Sequence, residues 1–139
     1  MKLDECFRRG LLKRIHPDHE NAVRSLNLSM ANLEDAAENL RIHRYRVVIV
    51  SSYTAMFHAA RAILFRDGVK ERSHECIPLY LKENYPKLES ISDVLDAYRR
   101  FRHAAIYGLD TDIDKDEAKA ALEAARELLT EVKEIMAES

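Results

Sequence analysis

The stretch Tyr98-Arg-Arg-Phe-Arg-His-Ala-Ala-Ile-Tyr107-Gly108 holds Arg99, Arg100, Arg102 and His103 almost side by side, with Tyr107 five positions after Arg102. Guanidinium groups stay protonated and their planar forks match phosphate oxygens, so three of them together suit anion binding and charge stabilisation. An imidazole exchanges protons near neutral pH, whereas a phenol with a reference pKa of about 10 is a poor base there. Tyr98 and Tyr107 flank the cluster, and aromatic rings beside arginines suit stacking on nucleobases. The competing reading is a solvated helix face whose basic residues answer the helix macrodipole.

At about 100° per residue, Ile91, Val94, Leu95, Tyr98, Phe101 and Ala105 gather on a core-facing side. Arg99, Arg100, His103 and Tyr107 gather on the other. Arg102 falls at the seam, where its stem can lie on apolar neighbours while the guanidinium faces a groove. A second polar set, Ser51, Thr54, His58 and Arg61, shares one face of an otherwise apolar segment. It reads either as the lining of a ligand cavity or as a core histidine beside an internally paired arginine. His16, Asp18, His19 and Glu20 lack the further His or Cys pair that would make a metal set, and read as a helix start. His74, after Ser73, reads as local structure. Arg41, His43, Arg44 and Arg46 read as a solvated turn. No metal and no cofactor is expected, because the chain has no glycine-rich phosphate loop, nucleophile elbow or paired-cysteine motif.

The elements that must position these residues are helices. A short one is expected over 3–15, weakened by Gly10, with His16-Pro17-Asp18 restarting the chain. A second spans 18–40, with Val23, Leu26, Met30, Leu33, Ala37 and Leu40 on one stripe facing a partner. A third, 45–67, is apolar nearly all round, belongs in the middle of a bundle and stops at Gly68. A fourth starts at Ser73 and ends before Pro86. The fifth opens at Ser90, with Asp93 in an approximate capping box, and runs to Tyr107. The sixth opens at Asp114 with Glu117 at the capping-box position, and presents Ala118, Ala121, Leu122, Ala125, Leu128, Leu129, Val132, Ile135 and Met136 on one face. No segment alternates like a strand. The expected fold is an all-α, up-and-down bundle of five to six helices in a single domain, 1–139.

Composition agrees. Three glycines and three prolines in 139 residues argue for few, long elements, and 47% hydrophobic against 33% charged residues is the balance of a bundle. A net charge of −2 excludes a globally basic nucleic-acid binder, so any such role rests on a local patch. Cys6 and Cys76 stand far apart without a CxxC pattern and read as two buried thiols of a reducing cytosol. No apolar run reaches the roughly 18 residues of a membrane span and no targeting segment is visible, so the chain is expected in the cytoplasm without a membrane partner. Glutamine is absent and arginine outnumbers lysine, which fits a thermophilic source.

The segment Ser-Ser-Tyr-Thr-Ala-Met-Phe-His-Ala-Ala-Arg at 51–61, the later Arg-x-x-Ala-x-Tyr end of the fifth helix, and the long Ala/Leu/Glu helix after it resemble the HEPN domain family of prokaryotes over roughly 20–137. The resemblance implies a helical bundle, usually dimeric, with the motif helices of two subunits facing across a cleft. It also implies pairing with a minimal nucleotidyltransferase in a toxin–antitoxin system. Ribonuclease members use Arg, four to six residues, then His, without a metal. Here Arg102 is followed at that spacing by Tyr107. The arginine half remains as a binder of RNA or nucleotide phosphate, with Arg99, Arg102, Tyr98, His58 and Arg61 as candidate contacts. The missing histidine argues against ribonuclease activity. Two alternatives stand beside this reading: a ribonuclease toxin using Arg102 with His103 or Tyr107, and a non-catalytic module that binds a protein partner.

Overall fold

The computed structural model describes residues 1–109 and 112–138. The order is α1 (Leu3–Arg8), β1 (Leu12–Arg14), α2 (His19–Arg41), α3 (Tyr45–Asp67), β2 (Val69–Glu71), α4 (Cys76–Asn84), a 3-10 turn (Pro86–Leu88), α5 (Glu89–Tyr107) and α6 (Lys115–Ala137). The all-α bundle expected from the sequence is the fold observed. α3 is its axis. It touches α2, α4, α5, α6 and β2, and thirteen of its residues are buried, from Val48 to Phe65. α3 is long and apolar enough to cross a membrane, contrary to the expectation that no run qualifies, but 72% of its apolar window is buried inside the protein. Its hydrophobicity belongs to the core.

α2 lies against α3 through small residues as well as through most of the expected stripe. Ala22, Ser25, Ser29 and Ala36 are buried, while Val23 and Met30 are exposed and Leu26, Leu33, Ala37 and Leu40 flank the contact. Small side chains let the two backbones approach closely, and the larger apolar groups then sit on the shoulders. The Ser29 hydroxyl donates to the Ala55 carbonyl at 2.7 Å, a bond possible only at that approach. α6 buries the face read from its sequence, from Ala118 to Ile135. The expected capping box holds its start: the Glu117 amide donates to Asp114 Oδ1 (2.8 Å) and the Asp114 amide to Glu117 Oε1 (3.1 Å).

Several local expectations fail for physical reasons. α1 ends at Arg8 because Gly10 turns the chain with φ of 71°, and Leu12–Arg14 then pairs antiparallel with Val69–Glu71, Leu12 opposite Glu71 and Arg14 opposite Val69. Strands of three residues are too short to show alternation. α4 begins at Cys76, and Ser73 instead accepts the Glu75 amide in the turn before it. α5 begins at Glu89; Asp93 does not cap it but pairs with Lys82 of α4 at 3.2 Å. Cys6 and Cys76 are not free thiols. They form a disulfide, with Cα atoms 6.1 Å apart, between α1 and the first residue of α4. Only the fold brings the two together, so spacing along the chain carried no sign of it.

Gly68 ends α3 in the left-handed region, φ 81°, and its carbonyl accepts the Ile15 amide at 2.9 Å. A Cβ there would stand 2.6 Å from the Ile15 carbonyl oxygen and 3.2 Å from Pro17. Both the backbone angle and the space demand glycine. Gly68→Ala is expected to destabilise the protein by about 2 kcal/mol, read as the midpoint shift in urea unfolding; a change within error of zero would mean that this junction relaxes freely.

Candidate functional site

α5 is amphipathic, and its C-terminal half leans on α3. Ile91, Leu95 and Ala105 are buried, with Val94 and Phe101 half-buried beside them. This rotation sets the arginines along the edge where α5 meets the turn between β2 and α4. Arg99, Arg100, Arg102 and His103 line an open pocket of about 430 Å³, and its remaining wall is His74 from that turn.

The arginines are not equivalent. Asp96 accepts from Arg99 Nε at 3.0 Å and sits 3.2 Å from Arg100, so one carboxylate serves two guanidiniums a turn further on. Arg102 lies with its guanidinium carbon 5.2 Å from the centre of the Tyr53 ring, a cation–π contact made by a stem half-buried at the helix seam. Its Nε is buried and has no hydrogen-bond partner among the described residues. A buried guanidinium nitrogen without an acceptor is costly unless a ligand or water supplies one.

Behind Arg102, α3 supplies an aromatic wall. Tyr53 is buried and its hydroxyl lies 2.8 Å from His74 Nδ1. The His74 ring stacks on Phe57 with centroids 4.1 Å apart. Desolvation lowers the His74 pKa, and the nearby charges of Arg102, Arg99 and Arg61 lower it further, so the imidazole is held neutral at pH 7. Burial pushes the Tyr53 phenol up to about 12, only partly offset by Arg102 and Arg99. His74 had read as local structure. The residue is isolated in sequence, and only the turn from β2 into α4 carries it to α5. The one sequence signal was Tyr53, a phenol on a helix with no water to satisfy it.

The other predicted residues divide. His58 and Arg61 do not line the pocket but sit behind it. Arg61 Nε is 2.8 Å from Glu71 Oε1, a charge pair rather than an aligned hydrogen bond, and the guanidinium packs over Phe57 and Phe65. The internal-ion-pair reading of Arg61 therefore holds. His58 meets the edge of Phe57, and desolvation followed by the Arg61 and His74 charges lowers its pKa. Tyr98 faces away from the arginines: it packs on the core beside Phe101, its phenol pushed up by burial and then by Glu117 of α6. It cannot stack on a ligand in this pocket. Tyr107 is 68% exposed at the end of α5, its ring 4.8 Å from that of His103, and stands outside the pocket lining.

His43 and Tyr45 bond within their turn (2.7 Å), and Arg44 and Arg46 border a separate pocket with Asp112 and Ile113. A larger groove of about 1320 Å³ runs between the N-terminal segment and α4, past Phe7, Arg14, Arg72 and Lys82, away from the α5 cluster. Among the described residues no three potential metal ligands come together; Asp18 caps α2, accepting the Asn21 amide at 3.0 Å.

The raised Tyr53 phenol has a consequence at high pH. In the unfolded chain it ionises near the reference value of about 10, while in the fold it holds its proton to about 12. Its contribution is fully present below the unfolded value and is lost as pH rises through the folded one. Stability should therefore fall between these limits, and Tyr53→Phe should flatten that fall in urea unfolding followed by circular dichroism. Identical pH dependence in both proteins would show that Tyr53 does not govern it.

No curated protein is significantly similar to the chain in sequence. The HEPN domain model matches residues 22–135, from the first turn of α2 almost to the end of α6. This match takes in α3, α5 and the pocket between them, covers most of the chain and agrees with the helical bundle, and the protein belongs to the HEPN domain family.

Proposed function

We propose that the whole chain, 1–139, acts as a HEPN-type module that binds nucleotide or RNA phosphate, as a homodimer, beside a minimal nucleotidyltransferase in a toxin–antitoxin-like pair. The observation that carries the binding reading is the pocket in which Arg99, Arg100, Arg102 and His103 meet, with Arg102 Nε buried and without an acceptor among the described residues. Family membership supports a nucleotide- or RNA-related role. The dimer reading draws on the exposed apolar groups at the end of α5, Ile106, Tyr107 and Leu109, which would be covered by a second copy.

Binding of a short RNA should weaken steeply as salt rises, because phosphate contacts release counterions. Arg102→Ala should lower the affinity about tenfold, the loss of one charge-assisted hydrogen bond, while Lys133→Ala on α6 should leave it unchanged. Equal losses from both would reduce the cluster to bulk charge. Light scattering should give twice the chain mass of 16.1 kDa; a monomer at micromolar protein would remove the dimer.

His103 lining the pocket beside Arg102 favours one second reading, a metal-independent ribonuclease with His103 as its imidazole. On the binding reading the native protein leaves RNA intact in chelator, and Tyr107→His gains cleavage. Robust cleavage by the native protein, lost in Arg102→Ala, would put the ribonuclease reading first.

A further inference from the structure

We propose that the α5 pocket is a site for a phosphate monoester, the terminal phosphate of a nucleotide or RNA end, and that His74 completes it by taking up a proton when the dianion binds. This rests on the phosphate-binding reading above and names the ligand class of the same pocket.

Size and charge come first. About 430 Å³ holds one phosphate with part of its nucleoside. Three guanidiniums and two imidazoles line it, and Asp96 engages only Arg99 and Arg100. A monoester offers three terminal oxygens and nearly two negative charges near pH 7, with a second pKa of about 6. A phosphodiester offers two terminal oxygens and one charge. The donor set matches the monoester.

The role of His74 follows from its fastening. Nδ1 is engaged by the Tyr53 hydroxyl at 2.8 Å and the ring is stacked on Phe57, leaving Nε2 as the nitrogen free for a ligand. The titratable and charged groups around it are Tyr53, His58 and Arg61 on α3, the Arg61-paired Glu71 on β2, Arg99, Arg100, Arg102, His103 and Asp96 on α5, and Glu75 on its own turn; of these Arg102, Arg99 and Arg61 act on its charge most strongly. In the empty pocket burial, seconded by the charges of Arg102, Arg99 and Arg61, keeps the ring neutral. A bound dianion reverses the local potential and stabilises the imidazolium. A proton passes from solvent to a ring nitrogen of His74, forming an N–H bond there, and no bond of the phosphate changes.

The test compares adenosine 5′-monophosphate with the cyclic 3′,5′-monophosphate, a diester of the same nucleoside, by calorimetry and by NMR titration of the His74 ring. The monoester should bind about tenfold tighter, the worth of one further charge-assisted hydrogen bond. The His74 titration midpoint should move to higher pH with the monoester and stay in place with the diester. His74→Gln should abolish the preference while Arg102-dependent binding of both ligands persists. Equal affinities, or a midpoint unmoved by bound monoester, would overturn the inference and leave phosphate binding standing. Failure of both ligands to bind would overturn the phosphate-binding reading together with the inference. The NMR arm uses the native protein, so it decides the matter even if the variant does not fold.

Discussion

Every long element of this protein packs on Tyr45–Asp67, and that helix is apolar around nearly its whole circumference. A helix in that position gives its polar side chains little access to water, and several of them meet partners brought by other elements. Tyr53 meets His74, Arg61 meets Glu71, and the Ala55 carbonyl takes the Ser29 hydroxyl. At the C-terminal end Asp67 accepts from Tyr80 and Tyr85, at 2.8 and 2.6 Å, and Arg66 donates to the Ile135 carbonyl. These bonds tie α2, β2, α4 and α6 to one axis. The pocket is a by-product of this: it opens where α3 has spent its aromatic face on the turn bearing His74 and left Arg102 to rest on Tyr53.

Helix boundaries that depend on local chemistry were legible in the sequence. Gly68 demanded a left-handed residue, and Asp114 with Glu117 wrote out a reciprocal cap; both sit where their residue types placed them. The apolar circumference of α3 likewise announced its central position. What depended on closeness between distant segments was not legible. The expected α2 stripe holds for Leu26, Leu33, Ala37 and Leu40, which pack against the core, and fails for Val23 and Met30, which face outward while Ala22, Ser25, Ser29 and Ala36 are the buried residues. The disulfide and the short β1–β2 ladder are contacts of that same kind.

The candidate site shows the same division. Arg99, Arg100, Arg102 and His103 lie on consecutive turns of one helix, so periodicity alone grouped them, and they do line one pocket. Tyr98 was grouped with them by proximity in sequence, although its own helical angle had already put it with Phe101 on the core side. His74 was missed because a histidine in a turn carries no periodic signal, and its importance comes from Tyr53 and Phe57, contributed by a helix twenty residues earlier in the chain.

The Cys6–Cys76 bond has a topological consequence. It makes residues 6–76 a closed ring that contains the whole of α2 and α3, with α5 and α6 left on an open tail. The two most intimately packed helices can never drift further apart than the ring allows, even in a denatured chain. Closing a ring of that length removes unfolded-state freedom worth roughly 4 kcal/mol in the chain-entropy account. The tail gains nothing directly. The motif-bearing half of the protein therefore docks onto a half that is already tethered, and the segment preceding the family's span, residues 1–21, is covalently part of the bundle it would otherwise merely cover.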